Sequence, residues 1–511
     1  MFPYNARASG QSAVCVRELE AGSDPLEAFE ALRREAYPWL LDSALPHPGV
    51  GRYCFAGSDP YLVLRSRGNR VEIECRRAVR PGLRPGRTNL NADPFEVLRA
   101  LLPAPPHRGE AAPMPFIGGA VGYLGYELAA LLEPVAFHGR DELELPDLVL
   151  LFVDRVLVHD LEEKRSFAVG LGFAESASAA RSAADRAALE LAHRVEGQVS
   201  PPPGPPRSST GEDESWIASR RDVLATRLPG DLRSDFDEGG YIKQVRTILD
   251  EIEAGNVYQA DLTQRMELPY RGDSWALYRA LRRLSPAPFA AYLELPEVAI
   301  LSSSPERFLR LDAEGRVESR PIKGTRPRGG TEERDRALEL ELAHSAKDRA
   351  ENLMIVDLVR NDLGRVCQVG SVCVPELMAI ERYATVFQLV STVTGQLRAG
   401  CDAIDLLRAA FPPGSMTGAP KIAAMRLLDR LEPVRRGVYS GAIGYFDQRG
   451  GIDLSVVIRT LFLTQGRVSL HVGGGVVADS DPAAEYRESL DKACALLAAI
   501  EAVRVESEGG R

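Results

Sequence analysis

The sequence is poor in the features that mark special classes of protein. Its seven cysteines (Cys15, Cys54, Cys75, Cys367, Cys373, Cys401 and Cys494) are scattered, odd in number and never in CxxC spacing. Neither a disulfide framework nor a zinc site is expected, and a reducing cytoplasm is the expected compartment. Basic residues do not dominate: 62 Lys and Arg stand against 72 Asp and Glu, a formal net charge of −10. That argues against a general nucleic-acid binder, whose domain is usually strongly basic. No apolar run approaches the ~20 residues a membrane helix needs, and the most apolar stretch, LVLLFV at 148–153, reads as a buried strand. The opening MFPYNARASGQSAV lacks the basic start and apolar core of a signal peptide. What is present is ordinary for a soluble globular chain, 45% apolar and 26% charged. Its length suggests a few domains of about 100–200 residues each.

One stretch interrupts this pattern. EGQVSPPPGPPRSSTGEDES, 196–215, combines proline, serine, glycine and charge with almost nothing to bury, the composition of a flexible connector. It divides the sequence into an N-terminal α+β region, 1–195, a linker, 196–236, and a second region, 237–505. The first region mixes strand-like runs (YLVLRSR, VEIECRRA) with helical ones such as DPFEVLRALL. The second opens on YIKQVRTILDEIEAG, apolar at helical spacing and closed by Gly255. VYQADLTQRMEL, FAAYLEL, VAILSS and RFLRLD follow as short strands. Helices interspersed among strands predict an α+β fold of mostly antiparallel sheet.

SRPIKGTRPRGG, 319–330, reads as a loop that holds one lysine, Lys323, among arginines. Such a loop suits a phosphate, a nucleic acid, a solvated surface or an amine nucleophile. Carboxylates elsewhere narrow the choice. On the helix expected from AKDRAENLMIVDLVRNDLGRV, 346–366, Leu353, Met354, Ile355, Val356, Leu358 and Val359 spread around the circumference, so burial on nearly every side is expected. Asp348 and Glu351 nevertheless share one face at i and i+3. A buried carboxylate needs a partner, and Lys347, Arg349 and Arg360 are at hand. Glu485 and Glu488 form a second pair, about 60° apart, on a helix that Asp481 caps and Pro482 starts. Either pair alone reads as a salt-bridged or solvated face. Two such pairs on separate helices also suit a hard cation, and oxygen-only ligation without a His/Cys cluster points to Mg²⁺.

PPGSMTGAPK, 412–421, offers Thr417 and Lys421 among turn glycines but not the GxxxxGK[ST] of a P-loop. In HVGGGVVADSDP, Gly473, Gly474 and Gly475 form either a tight turn after a strand or an anion cradle of backbone N–H groups. Arg459 is expected in a strand of uncharged residues, with a carboxylate partner that is structural or a ligand. Tyr445, in GAIGYF, is either core or aimed at that ligand. Together these elements favour a small polycarboxylate over a nucleotide or nucleic acid.

GNVYQADLTQR, SSSPERF, RPIKGTRPRG, AKDRAENLMIVDLVRNDLGRV, GSMTGAPK, SGAIGYF, IRT and GGGVVADSDP…EYRESLDKA occur in that order, and over about 240–500 the sequence resembles the chorismate-utilising enzymes. These include the component I chains of anthranilate synthase and aminodeoxychorismate synthase, and the isochorismate and salicylate synthases. The N-terminal half is similar more loosely: LLDSA at 40–44 resembles a segment that borders a tryptophan pocket in anthranilate synthases, with Asp42 replacing a glutamate. The resemblance implies two large interlocked antiparallel sheets flanked by helices, with the site between them. It implies Mg²⁺ on Glu351 and Glu488, with Asp348 and Glu485 acting through bound water, holding the ring carboxylate of chorismate. Tyr445, Arg459 and the amides of Gly473, Gly474 and Gly475 would hold the enolpyruvyl carboxylate, with Thr417 and Lys421 close by.

Two positions narrow the branch. Gln259 stands where members that add water carry a lysine base, so water addition is not implied. Lys323 matches the PIKGT common in aminodeoxychorismate synthases rather than the PIAGT typical of anthranilate synthases. The resemblance then implies that Lys323 attacks C2 of chorismate while Glu306, in SPER, protonates the departing C4 hydroxyl. Ammonia would follow at C4, giving 4-amino-4-deoxychorismate for 4-aminobenzoate and folate synthesis. Arg320, Arg326, Arg328 and Mg²⁺ are expected to help free the lysine amine. A Glu306–Arg307 ion pair is the structural alternative, and Gln388 replaces a histidine that many members carry. The rival readings are anthranilate synthase component I and a non-catalytic chorismate- or tryptophan-binding subunit. No glycine-flanked nucleophilic cysteine marks a glutaminase, so free ammonia or a separate glutamine amidotransferase subunit is the expected nitrogen source. A separate lyase is expected to make 4-aminobenzoate.

Overall fold

The computed structural model describes residues 11–19, 24–45, 49–102, 114–196, 229–383 and 386–509. Most of the linker expected at 196–236 lies outside the described residues. Two 12-stranded sheets dominate. In the first, Gln11–Glu18, Arg165–Ala174, Arg155–Asp160, Tyr53–Gly57 and Trp39–Asp42 lead without a break into Phe289–Glu294, Ala299–Ser304, Thr460–Thr464, Arg467–Val476 and Gln259–Pro269. In the second, Ile322–Pro327, Val386–Gln396, Arg316–Arg320, Arg307–Leu311, Ile452–Val456 and Ala442–Asp447 lead into Gly119–Leu124, Leu148–Val153 and Leu62–Arg67. The joins are antiparallel ladders, Trp39–Asp42 on Phe289–Glu294 and Gly119–Leu124 on Ala442–Asp447. Each sheet thus draws strands from both sides of 196–236, and this interlocks them. The fold is α+β with two large antiparallel sheets, as the sequence implied.

The core is shared in the same way: Trp39, Phe55, Phe116 and Tyr123 cluster with Phe308, Leu406 and Phe462. The LVLLFV run is a strand buried at every position. The four strand-like runs after Gly255 are the strands starting at Gln259, Phe289, Ala299 and Arg307. Asp237 caps the helix Glu238–Glu253 through the Gly240 amide at 2.7 Å, and Asp481 caps Pro482–Gly509 through the Ala484 amide at 2.8 Å. Among the described residues no helix is long and apolar enough to cross a membrane.

Three local expectations need correction. The helix Ala346–Gly364 is not buried all round: Ile355, Val356, Val359 and Leu363 form one inward stripe, while Leu353 is 46% exposed on the other side. Arg459 does not lie in a strand but between Ile452–Val456 and Thr460–Thr464, at φ +52°. Lys323 does not lie in a loop. Ile322–Pro327 is a strand paired with Val386–Gln396, with a register shift between Ile322 and Thr325. The shift falls on Lys323 and on Gly324, whose φ is +86°. A bulge at a left-handed glycine releases the ladder there and re-aims the neighbouring side chain.

Candidate active site

Alternation along Gln259–Pro269 places Gln259 and Asp261 on one face. Asp261 lies opposite Gly475 in the neighbouring strand. A β-carbon at Gly475 would stand 2.5 Å from Gln259 Nε2, 3.1 Å from Asp261 Oδ1 and 3.3 Å from Lys323 Nζ. Bare backbone is therefore what leaves these three side chains their space. Gln259 is fully buried, yet neither amide atom has a protein partner, and Asp261 Oδ2 is likewise unpartnered. Buried polar atoms without partners are costly unless a ligand or water supplies them.

Lys323 reaches this cluster from the second sheet. Its ammonium donates to Asp261 Oδ1 at 2.9 Å and to the Ser415 carbonyl at 3.3 Å. Burial disfavours its charge, but the Asp261, Glu351 and Glu306 carboxyls outweigh burial and hold it above the ordinary lysine range. The cationic surroundings expected for it are missing because each arginine has a carboxylate of its own. Arg320 pairs with Glu381, Arg326 with Glu341 at 2.8 Å and Asp348 at 3.0 Å, and Arg328 with Asp335. Glu306 is buried where Ala299–Ser304 turns into Arg307–Leu311. Burial raises its carboxyl from 4.5 to about 7, against the opposing pull of the Ser415 side chain and Lys323. Arg307 is not its partner; that guanidinium is taken by Glu318 at 2.6 Å and Asp453 at 3.0 Å.

The two acidic pairs come from facing helices. Lys347 lies between them, 2.7 Å from Glu485 Oε1 and 3.9 Å from Glu351 Oε1. Glu485 also accepts from the Ser480 hydroxyl at 2.6 Å. Glu488 pairs with Lys492 at 2.8 Å, which holds its carboxyl below the usual value. Asp348 is held by Arg326. Among the described residues no three acidic, His or Cys side chains are gathered as a closed metal cluster. The donor chemistry nevertheless fits a hard cation. It is all carboxylate oxygen, and burial lifts Glu351 to about 7 despite Lys323 and Lys347, so that carboxyl lacks sufficient positive charge. Gly474 faces the same group, its absent β-carbon 3.0 Å from Glu485 Oε2.

The remaining sequence-derived residues divide. Gly473, Gly474 and Gly475 lie within the strand Arg467–Val476 rather than in a turn after it. Thr417 is buried beside Asp261, whose amide donates to the Thr417 carbonyl at 3.0 Å. Arg459 donates to the Lys492 carbonyl at 3.1 Å, which sets it next to the Glu488 helix. Lys421 is occupied elsewhere: it pairs with Asp362 at 2.7 Å and donates to the carbonyls of Ala410 and Pro412. Tyr445 is not brought to the cluster. It stacks on Phe116 at 4.5 Å and lines a separate cavity of about 350 Å³, together with Asp42, Ser43, Phe289 and Asp453. LLDSA thus borders that second cavity, where Asp42 is bound by Tyr278 at 2.9 Å and Arg282 at 2.6 Å. The tyrosine in the field of Asp261 and Arg459 is Tyr439, stacked on His471 at 4.9 Å.

Sequence reasoning missed Asp261, Ser415 and Tyr439. Only Asp261 carried a signal: an acid two residues from Gln259 in an alternating strand must share its buried face.

A family model described as chorismate binding enzyme matches residues 52–498. An aminodeoxychorismate synthase of Streptomyces griseus is 49% identical over 385 residues, 75% of this chain and 50% of that protein, so the chain spans about half that relative's length. The aminodeoxychorismate synthase component 1 of Klebsiella aerogenes is 38% identical over 483 residues, 93% of this chain and 96% of that protein. The crystal structure of anthranilate synthase component I from Streptococcus pneumoniae superposes with a TM-score of 0.69 at 27% identity, covering 87% of this chain and 92% of that one. A family model that spans both sheets, and relatives matched over most of the chain, lead to one conclusion: this chain belongs to the family of chorismate-binding enzymes.

Proposed function

We propose that the chain aminates chorismate at C4, forming 4-amino-4-deoxychorismate as the chorismate-handling component of an aminodeoxychorismate synthase. The observation that carries this reading is the buried Lys323 amine close enough to Glu306 for each to shift the other's proton affinity. Lys323 adds to C2 while Glu306 passes its proton to the hydroxyl leaving C4, and the two ring double bonds shift. Ammonia then adds at C4, the lysine amine leaves C2, and Glu306 recovers a proton from the new C4 nitrogen. Gln259 is neutral, so it hydrogen-bonds without serving as a base for water. Gly475 keeps the width for the ring between Gln259 and Lys323. Glu351 and Glu488, with Asp348 and Glu485 through water, would hold Mg²⁺, which supplies positive charge to the ring carboxylate. The component 1 in a relative's name supports a second, glutamine-hydrolysing subunit as the ammonia source.

The test is a product assay with chorismate, Mg²⁺ and ammonium, followed by a 4-amino-4-deoxychorismate lyase. Expected is lyase-dependent 4-aminobenzoate that falls sharply in Lys323→Ala. Anthranilate formed without the lyase would overturn the reading and assign the chain to the other aminating branch.

A further inference from the structure

A lysine fixed as an ammonium cannot attack carbon, and the cluster contains one group placed to remedy this. We propose that Asp261 is the proton store of Lys323: it takes the ammonium proton as the amine attacks and returns it when the amine departs. This rests on the reading above that Lys323 is the nucleophile.

The geometry leaves Asp261 without a competitor. Among the described residues it is the one carboxylate within 4.0 Å of Lys323 Nζ. The amine's other partner, the Ser415 carbonyl, cannot accept a proton outright. Glu306 must keep its own proton for the leaving hydroxyl. Glu351, on the helix Ala346–Gly364, and Glu488, on Pro482–Gly509, face Lys323 from farther off. Asp261 itself is rigidly held: its amide donates to Thr417 at 3.0 Å and its carbonyl accepts from Arg436 at 2.7 Å. Its Oδ1 faces the amine at 2.9 Å and its Oδ2 is buried without a partner, so among the described residues no other protein group competes for this carboxylate's free oxygen.

The protons balance. Asp261 takes H⁺ from the ammonium, N–C2 forms and C4–O breaks, and Glu306 supplies the H⁺ that makes water. Ammonia forms N–C4, C2–N breaks, Glu306 regains H⁺ from the C4 ammonium, and Asp261 returns its H⁺ to Lys323.

The experiment compares Asp261→Asn with the unaltered chain from about pH 6 to about pH 9, using the coupled assay and checking folding by thermal melting. The rate ratio of variant to parent is the readout. Loss of the Asp261 charge also lowers the Glu306 and Glu351 carboxyls. The variant therefore loses the acid form of Glu306 earlier, which pulls the ratio down rather than up as the pH rises. Without its proton store, Lys323 must deprotonate to solvent. The variant should be slower by on the order of a hundredfold at neutral pH, and the ratio should climb about tenfold per pH unit. A ratio that stays flat across the range, whatever its level, would overturn the proposal, since an Asp261 that only raises the proton affinity of Lys323 changes the level of the ratio and not its slope. Lys323→Ala separates the two claims. If that variant stays active, the Lys323 reading fails first; if it is dead while Asp261→Asn is normal, only the proton store fails. Should the asparagine variant not fold, Asp261→Ala with added formate decides: restored turnover supports the store, and no restoration overturns it.

Discussion

A carboxyl that burial keeps protonated acts as a general acid only below its own pKa, and Glu306 crosses from acid to base at about 7. The rate should therefore be level on the acidic side of neutrality and fall as the pH rises beyond about 7. The same shift affects stability. Because the folded value is raised, the folded chain between 4.5 and about 7 keeps a proton that the unfolded chain has released. Stability from this group is thus fully present below 4.5 and is lost as pH climbs to about 7. Glu306→Gln removes both effects. We expect turnover to drop by on the order of 10²–10⁴-fold, while urea unfolding at pH 8 shows the variant no less stable than the parent. A variant that kept its turnover would remove Glu306 from the chemistry, and one that was inactive but markedly destabilised at pH 8 would assign it a structural role.

At the scale of the element, the strand Ile322–Pro327 shows why part of the site was legible and part was not. Its proline, glycine and arginines read as a loop because local composition is all a linear reading has. It is a strand because Val386–Gln396, more than sixty residues on, offers it an edge. The strands from Gln259, Phe289, Ala299 and Arg307 were legible because each is a short strand-like run buried almost throughout, and the Asp481 cap was legible because capping is local. Tyr445 went to the wrong place for the same reason that Asp261 was overlooked: which cavity a buried side chain enters depends on the sheet opposite. Gly324 is the hinge of this element. At φ +86° an added β-carbon would also stand 2.9 Å from Leu342 Cδ1 and 3.0 Å from Asp348 Cβ. Gly324→Ala should cost on the order of 1–3 kcal/mol and lower turnover by misaiming Lys323. Gly475→Ala, with an ordinary φ and mainly side-chain ends nearby, should lower turnover with little loss of melting temperature. Equal destabilisation in both variants would mean that the bulge is not under conformational demand.

At the scale of the whole molecule, the two regions separated by 196–236 share their sheets, and this decides how the chain comes apart. Removing residues 1–195 would strip Trp39–Asp42 from Phe289–Glu294 and Gly119–Leu124 from Ala442–Asp447. Two central ladders would become open edges, and an open hydrogen-bonding edge beside an exposed core surface is a template for aggregation. Trp39, Phe55 and Phe116 would leave the cluster that holds Phe308, Leu406 and Phe462, so the loss reaches beyond the ladders. The 237–505 region expressed alone should therefore be insoluble or aggregated. A different cut should be harmless. With a protease site introduced between 197 and 228 and cleaved after folding, the two pieces keep every described ladder and should co-elute as one native species. They should melt in one transition and separate only in denaturant. A soluble, monomeric 237–505 fragment that still turned over chorismate would show that the shared sheets are not needed to hold Asp261, Lys323 and Glu306 in place.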